Sequence, residues 1–340
     1  MITSTKFDDF AQMVDSELKD LLATRNLPLY DMMVYHLGWD ETPAPISTLT
    51  QRSHGVLSVA SALANGGDPE VAIPAAAAVE LVDKFCEIHD DVQGGKPKRG
   101  DRDAVWWVWG PAQAINTGDG MHAMARLSLF RLLDRGVSSE TAFKAVQLLD
   151  EASLLACEGR FIDLQAQERV DMTSTAYLKM AWDKEGALYG GAAGLGGLIA
   201  GADPEQINAL RLFGSHLGTI FLISKELCQL DAVGSLSKKA DEDLMNKKKS
   251  LPVVMAFENA TASGRRKLGD YYFKRVLEPD DLPGLAELVN ELGGTDSARA
   301  VLETEKSSAF TALESTGLNS EGKTFLAEYM SLMMESTSAD

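Results

Sequence analysis

The chain is short of most features that would assign it at a glance. Its three cysteines, Cys86, Cys157 and Cys228, are far apart and each sits in an apolar helical context. That excludes a disulfide framework and a cysteine-based metal site, and it reads as buried thiols of a reducing compartment. Basic charge is scarce too: 32 Lys and Arg stand against 50 Asp and Glu, for a net charge of −18. A nucleic-acid backbone needs a basic face, so that class of partner is excluded, although a local basic pocket for a small anion is not. No apolar run reaches transmembrane length, and the opening residues lack the basic start and apolar core of a secretory signal. The expectation is therefore a cytoplasmic protein without a membrane span. No stretch alternates as a strand should, and no linker rich in Gly, Ser or Pro divides the chain. This predicts an all-α fold in a single domain over 1–340.

What the chain does have is helical periodicity with capping signals. Phe7, Phe10, Met13, Val14, Leu18, Leu21 and Leu22 form a stripe within residues 6–24. Pro28, Pro43 and Pro45 make 25–46 partly loop. Ser47 is read as the cap of a helix to Asn65, stopped by Gly66 and Gly67. Asp68, Pro69 and Glu70 restart a helix. Further helices are predicted from Trp106 to Leu133, from Ser138 or Ser139 to Asp163, from Ser174 to Ile199 and from Pro204 to Leu230. A polar run from Gly234 to Lys249 follows. Four shorter helices then fill Leu251 to Glu335, with capping signals at Pro279, Thr295 and Ser320.

One helix end stands out. The segment from Ala75 to Asp91 is apolar over most of its surface, as a buried helix is. Yet it finishes in His89, Asp90 and Asp91. Two adjacent carboxylates at the negative end of a helix dipole repel each other. A hard cation such as Mg²⁺, which takes one or two carboxylates together with substrate phosphates, would resolve the conflict. A solvated helix terminus is the plain alternative.

Five motifs in order carry a resemblance. The segment Phe85 to Gly94 is similar to the first aspartate-rich motif of the trans-isoprenyl diphosphate synthases, the polyprenyl synthetase family. Val105 to Gly120 resembles the segment after that family's Arg-rich loop. Glu158 to Leu164 resembles its Gly-Gln-x-x-Asp-Leu motif, and Tyr177 to Leu188 its Lys-Thr-Ala motif. Lys248 to Val254 resembles the segment after its second aspartate-rich motif. The match runs from Leu49 to Ala256.

The resemblance implies a bundle of antiparallel helices around a central cavity. It implies Mg²⁺ held by two aspartate-rich motifs, here Asp90 and Asp91 for the first, and an allylic prenyl diphosphate as substrate. Asp90, Asp91 and Lys184 are the implied catalytic residues. Arg52, His54, Arg99, Lys184, Lys238 and Lys248 are implied to grip diphosphate, with Arg160 and Lys225 as added cations. Phe85, Cys86, Phe221 and Leu222 would line the prenyl pocket, and an aromatic at Phe85 would favour a short chain. A homodimer, or a heterodimer with a homologous synthase, is expected, with the small-residue stretch Gly186 to Gly201 as a helix able to make close contacts.

The departures from the pattern are specific. The third aspartate of the first motif is missing. The second motif reads Phe221-Leu222-Ile223-Ser224-Lys225-Glu226, so Lys225 stands where an aspartate is expected and Leu222 where a glutamine is. Gln51 and His54 replace a Lys and an Arg of the isopentenyl diphosphate grip. Arg160 replaces the Gln of Gly-Gln, and Glu185 the Thr of Lys-Thr. Arg160 and Lys225 put positive charge on helices that should face Asp90 and Asp91, where it would repel Mg²⁺ or stand in for it. Three functions follow from the sequence: a prenyltransferase with fewer Mg²⁺ ions or none, a non-catalytic subunit of a heteromeric synthase, and a class I terpene cyclase. Trp106, Trp107 and Trp109 are read as core rather than prenyl-pocket residues. His54 is read as a diphosphate contact or a surface or capping histidine. The run Lys247 to Lys249 is read as closing over a diphosphate rather than as a solvated face.

Overall fold

A computed structural model of the chain describes residues 2–40, 48–167, 171–233, 244–275 and 277–337. Helices dominate it. α1 (Ile2–Leu22) buries Phe7, Phe10, Val14 and Leu18 along one stripe. α2 (Pro28–His36) occupies part of the region expected to be loop. Pro28 lies in its first turn, where the missing N–H costs nothing and the fixed φ favours a helix. Ser47 lies outside the described residues. Thr48 makes the cap, in a reciprocal box with Gln51, around a 3₁₀ turn (Leu49–Arg52) that leads into α3 (Ser53–Ala64). α4 (Pro69–Gln93) starts where the sequence says, with the Asp68 side chain accepting from the Glu70 N–H.

After α4, Lys98–Arg99 and Arg102–Asp103 form a two-stranded antiparallel hairpin, the sole sheet among the described residues. The long helix expected from Trp106 is broken: α5 (Val105–Trp109) ends at Gly110, whose φ of +84° suits only glycine, and α6 (Pro111–Phe130) begins at the following proline. α7 (Ser139–Gln167) and α8 (Ser174–Ala181) follow, then a π turn (Trp182–Gly186) that runs directly into α9 (Ala187–Ile199). α10 (Pro204–Asp231) matches its predicted span. Among the described residues the C-terminal part holds five α-helices rather than four: α11 (Leu251–Asn259), α12 (Ala262–Tyr272), α13 (Leu282–Glu291), α14 (Gly294–Glu314) and α15 (Ser320–Thr337). The added boundary is Thr261, which caps α12 through the Gly264 N–H.

The helices pack as a bundle: α4 lies against α3 and α6, α3 against α9, α9 against α7 and α10, and α14 against α10. α9 is its central member. Nearly every α9 residue is buried, and a Cβ at Gly196 would stand 2.1 Å from the Ser58 carbonyl oxygen. The small-residue stretch is therefore used for contacts inside the chain and offers no face to a second copy. α10 is long and apolar enough to cross a membrane by composition, but 61% of its most apolar window is buried in the bundle. A second, smaller apolar cluster joins the end of α10 to α11, α12 and α13.

Candidate active site

The last turn of α4 opens into a cavity of about 330 Å³. Asp90 and Asp91 reach it from α4, Arg160 and Asp163 from α7, Lys184 from the π turn, Lys225 and Glu226 from α10, and Lys248 from the segment before α11. Two local features set these side chains. A π turn widens the helix by one residue, a device common at functional positions, and here it carries Lys184. Gly159 lets α7 touch that turn: a Cβ there would lie 2.3 Å from the Lys184 backbone nitrogen. With the backbones this close, Arg160 Nη1 donates to the Lys184 carbonyl at 2.9 Å and to the Ala156 carbonyl at 3.3 Å.

The Arg160 Nε then lies 3.1 and 3.2 Å from the two oxygens of Asp90. Burial opposes the Asp90 charge, but Arg160, Lys184 and Lys248 outweigh it and hold the carboxyl below its ordinary range. Lys184 Nζ donates to Asp163 at 2.7 Å, and Asp163 with Asp90 keeps that ammonium charged despite burial. Arg99 takes Asp91 with two nitrogens, Nε at 3.0 Å and Nη2 at 2.9 Å, and its Nη1 lies 3.3 Å from Glu87. Glu226 turns one oxygen to the Tyr177 hydroxyl at 2.6 Å and the Leu251 N–H at 2.8 Å; burial pushes its carboxyl up to about 7.

The lysine run divides its labour. Lys247 adopts a left-handed backbone, φ +56°, and its ammonium binds the Tyr272 carbonyl at 3.2 Å. Lys249 is buried over the Tyr272 ring, 4.1 Å from its centre, and donates to the Gln167 carbonyl; burial lowers its ammonium to about 8. Lys248 alone of the three lines the cavity.

The residues singled out in the sequence fall into three groups. Asp90, Asp91, Arg99, Arg160, Lys184, Leu222, Lys225 and Lys248 meet at the cavity. Lys238 lies outside the described residues. Arg52, His54, Phe85, Cys86 and Phe221 do not line it. Arg52 is buried, and its three nitrogens go to Asp15 at 2.6 Å, the Gln51 carbonyl at 2.8 Å and the Leu37 carbonyl at 3.3 Å. His54 is neither a surface nor a capping residue: it is buried against Tyr189, ring centres 4.0 Å apart, with Asp83 3.7 Å away. Phe85 packs between His89 and His122, Cys86 is buried, and Phe221 meets the edge of Tyr189. Of the tryptophans expected in the core, only Trp106 packs there, donating to the Lys96 carbonyl; Trp107 and Trp109 are exposed.

Sequence reading missed a charged stripe on α4. Glu80, Asp83, Lys84, Glu87 and Asp91 fall at helical spacing on one side of a helix otherwise read as apolar, and all five lie in or beside the site.

The first-motif carboxylates, where the resemblance places Mg²⁺, are engaged by protein cations. Among the described residues no group of three or more Asp, Glu, His or Cys is arranged to hold a metal. Both oxygens of Asp90 face one guanidinium, both oxygens of Asp91 face another, and the opposing helix offers Lys225. Mg²⁺, which takes one or two carboxylates with phosphates and water, would have to compete with these guanidinium groups for Asp90 and Asp91.

Known proteins resemble the chain in sequence and in fold. The family model described as Polyprenyl synthetase matches residues 50–289. The chain is 35% identical over 290 residues to a geranylgeranyl diphosphate synthase of Mycobacterium tuberculosis, covering 84% of this chain and 81% of that one. It is 31% identical over 295 residues to a (2E,6E)-farnesyl diphosphate synthase of the same species, covering 85% and 81%. Among solved structures, a polyprenyl synthetase from Streptomyces coelicolor A3(2) superposes with a TM-score of 0.84 at 28% identity, over 97% of this chain and 99% of that one.

Proposed function

Since this chain belongs to the polyprenyl synthetase family, we propose that it is a prenyltransferase of isoprenoid biosynthesis that binds an allylic prenyl diphosphate largely through its own cations. The single observation that carries this reading is the Arg160–Asp90 pair, a protein cation in contact with the first-motif carboxylate. Arg160, Lys184, Lys225 and Lys248 line one cavity and can share the charge of a diphosphate. In the reaction the C1–O bond of the allylic substrate breaks and the electron pair leaves with the diphosphate. The barrier falls as those cations neutralise the leaving group. Leu222 borders the cavity as a prenyl contact. The test is incubation of the purified protein with farnesyl or geranylgeranyl diphosphate, with Mg²⁺ and with EDTA, followed by mass spectrometry. Turnover that survives EDTA supports the reading; turnover strictly dependent on Mg²⁺ rejects it.

The same pair favours one second reading, a subunit that is silent alone and works beside a homologue. A further observation suits a partner of this kind: α6 and α7 carry exposed apolar side chains, among them Phe130, Phe143 (72% exposed) and Leu154 (62% exposed). We take this face as the dimer contact, in place of the small-residue helix α9. Light scattering should give a dimer at micromolar concentration, and Phe143→Asp with Leu154→Asp should shift it to monomer.

A further inference from the structure

We infer that the second substrate of this cavity is a hydroxyl- or amine-bearing molecule without a diphosphate, received by Asp83 and Glu87. The inference rests on the proposed reading of the cavity as a prenyl diphosphate site. Asp83 and Glu87 lie one turn apart on α4 and both line the cavity. A diphosphate brings several negative charges, and setting them against two largely buried carboxylates is costly unless free cations intervene.

The cations in contact with these two carboxylates, Lys84 and Arg99, are already matched. Lys84 Nζ stands 2.8 Å from Asp83 and 3.1 Å from Glu87. Arg99 has Nε and Nη2 on Asp91 and Nη1 near Glu87. Two imidazoles border them as well: His36 Nε2, which burial biases toward the neutral form, is 3.2 Å from Glu87, and His54 is 3.7 Å from Asp83. Arg52 is turned away onto Asp15. An anion docking here would compete with Asp83, Glu87 and Asp91 for Lys84 and Arg99, whereas the donor half of the cavity adds Lys225 and Lys248 to the paired Arg160 and Lys184. A neutral or cationic acceptor meets no such conflict, because its O–H or N–H donates to the remaining acceptor positions of the two carboxylates.

The step balances without a co-reactant. The donor C1–O bond breaks and its electrons leave with the diphosphate. A lone pair of the acceptor forms the new C1–O or C1–N bond. The acceptor proton passes to the departing diphosphate. Asp83 and Glu87 are weaker bases: although burial opposes their charge, Lys84 and Arg99 hold them low.

The experiment loads the full chain with farnesyl thiolodiphosphate, an allylic analogue that resists ionisation. Tyramine, which carries a phenol and an ammonium, and isopentenyl diphosphate are then titrated separately by calorimetry. The expected result is tyramine binding that weakens about tenfold in Glu87→Gln and in Asp83→Asn, with no isopentenyl diphosphate binding below about 1 mM. Glu87→Gln keeps the side-chain shape at a partly exposed position, so it serves if Asp83→Asn fails to fold. Micromolar isopentenyl diphosphate binding in the native protein overturns the inference, and so does tyramine affinity that neither substitution alters. Failure of the thiolodiphosphate itself to bind overturns the donor reading, and the inference with it, and is seen in the first titration.

Discussion

Arg160 and Asp90 lie on different helices, α7 and α4, and meet with Nε 3.1 and 3.2 Å from the two carboxylate oxygens. The guanidinium is almost fully buried, while the Asp90 side chain keeps 30% of its surface exposed. Removing one member of a buried pair leaves the other uncompensated. Arg160→Gln is expected to cost about 2 kcal/mol, below the full buried-pair penalty because water reaches Asp90. Because the substitution also frees both Asp90 oxygens, Mg²⁺ should restore part of the lost melting temperature in the variant and leave the native protein unchanged. A thermal melt with and without Mg²⁺ checks both halves.

Glu226 gives a pH prediction. Burial raises its carboxyl to about 7 in the folded chain, against an ordinary value of 4.5. Between those values the folded state holds the proton more tightly than the unfolded state. Stability from this group is therefore greatest at low pH and falls as pH rises from about 4.5 to 7. The loss is on the order of 3 kcal/mol by pH 8. Glu226→Gln retains an oxygen for Tyr177 and the Leu251 N–H, so denaturant melts of the variant should lack most of that decline.

Gly159 is the hinge of the Arg160–Lys184 arrangement. A Cβ at this position would stand 2.3 Å from the Lys184 backbone nitrogen, and backbone atoms cannot step aside as a side-chain tip can. Gly159→Ala should destabilise the chain by about 2–3 kcal/mol, the usual cost of overpacking. It should also weaken diphosphate binding, because both Arg160 and Lys184 are displaced. A melt and a calorimetric titration with inorganic diphosphate read the two effects.

Much of this architecture is legible in the amino-acid sequence alone. Asp68, Pro69 and Glu70 announce α4, and the acids at its end mark the site, because capping chemistry and charge placement are local. The cations Arg160 and Lys225 stand out as residues of the wrong sign in a recognisable pattern. What escapes is relational. Arg52 fits the motif, but whether it faces a ligand depends on Asp15, 37 residues away in sequence and 2.6 Å away in space. His54 carries no sign of the burial that Tyr189 imposes. The acids of α4 are visible as letters, yet the helix reads as apolar because Ala and Val outnumber them. Only the i, i+3, i+4 and i+7 spacing of Glu80, Asp83, Lys84 and Glu87 separates a charged seam from scattered polar residues. Lys225 is expected opposite Asp90 and Asp91. It does line the cavity, but the guanidinium in contact with Asp90 comes from α7.

That last placement predicts how Mg²⁺ binding responds to restoring the second motif. Lys225→Asp with Leu222→Gln restores the letters of the second motif on α10, yet it leaves Arg160 on Asp90 and Arg99 on Asp91. A metal entering such a site would have to break a charge-assisted contact before gaining a ligand. The double variant is therefore expected to gain little Mg²⁺ affinity in the presence of inorganic diphosphate. Adding Arg160→Gln frees the Asp90 oxygens and takes one positive charge out of the cavity. At an effective dielectric of about 20 a unit charge roughly 4 Å from another contributes on the order of 4 kcal/mol before desolvation is counted. Even a third of that is about tenfold in affinity. Calorimetric titration of Mg²⁺ into the native, double and triple variants should then show the gain appearing at the third substitution. An equal gain in the double variant would place the obstacle at Lys225 rather than at the Arg160–Asp90 pair, and native protein that already binds Mg²⁺ with diphosphate tightly would remove the obstacle altogether.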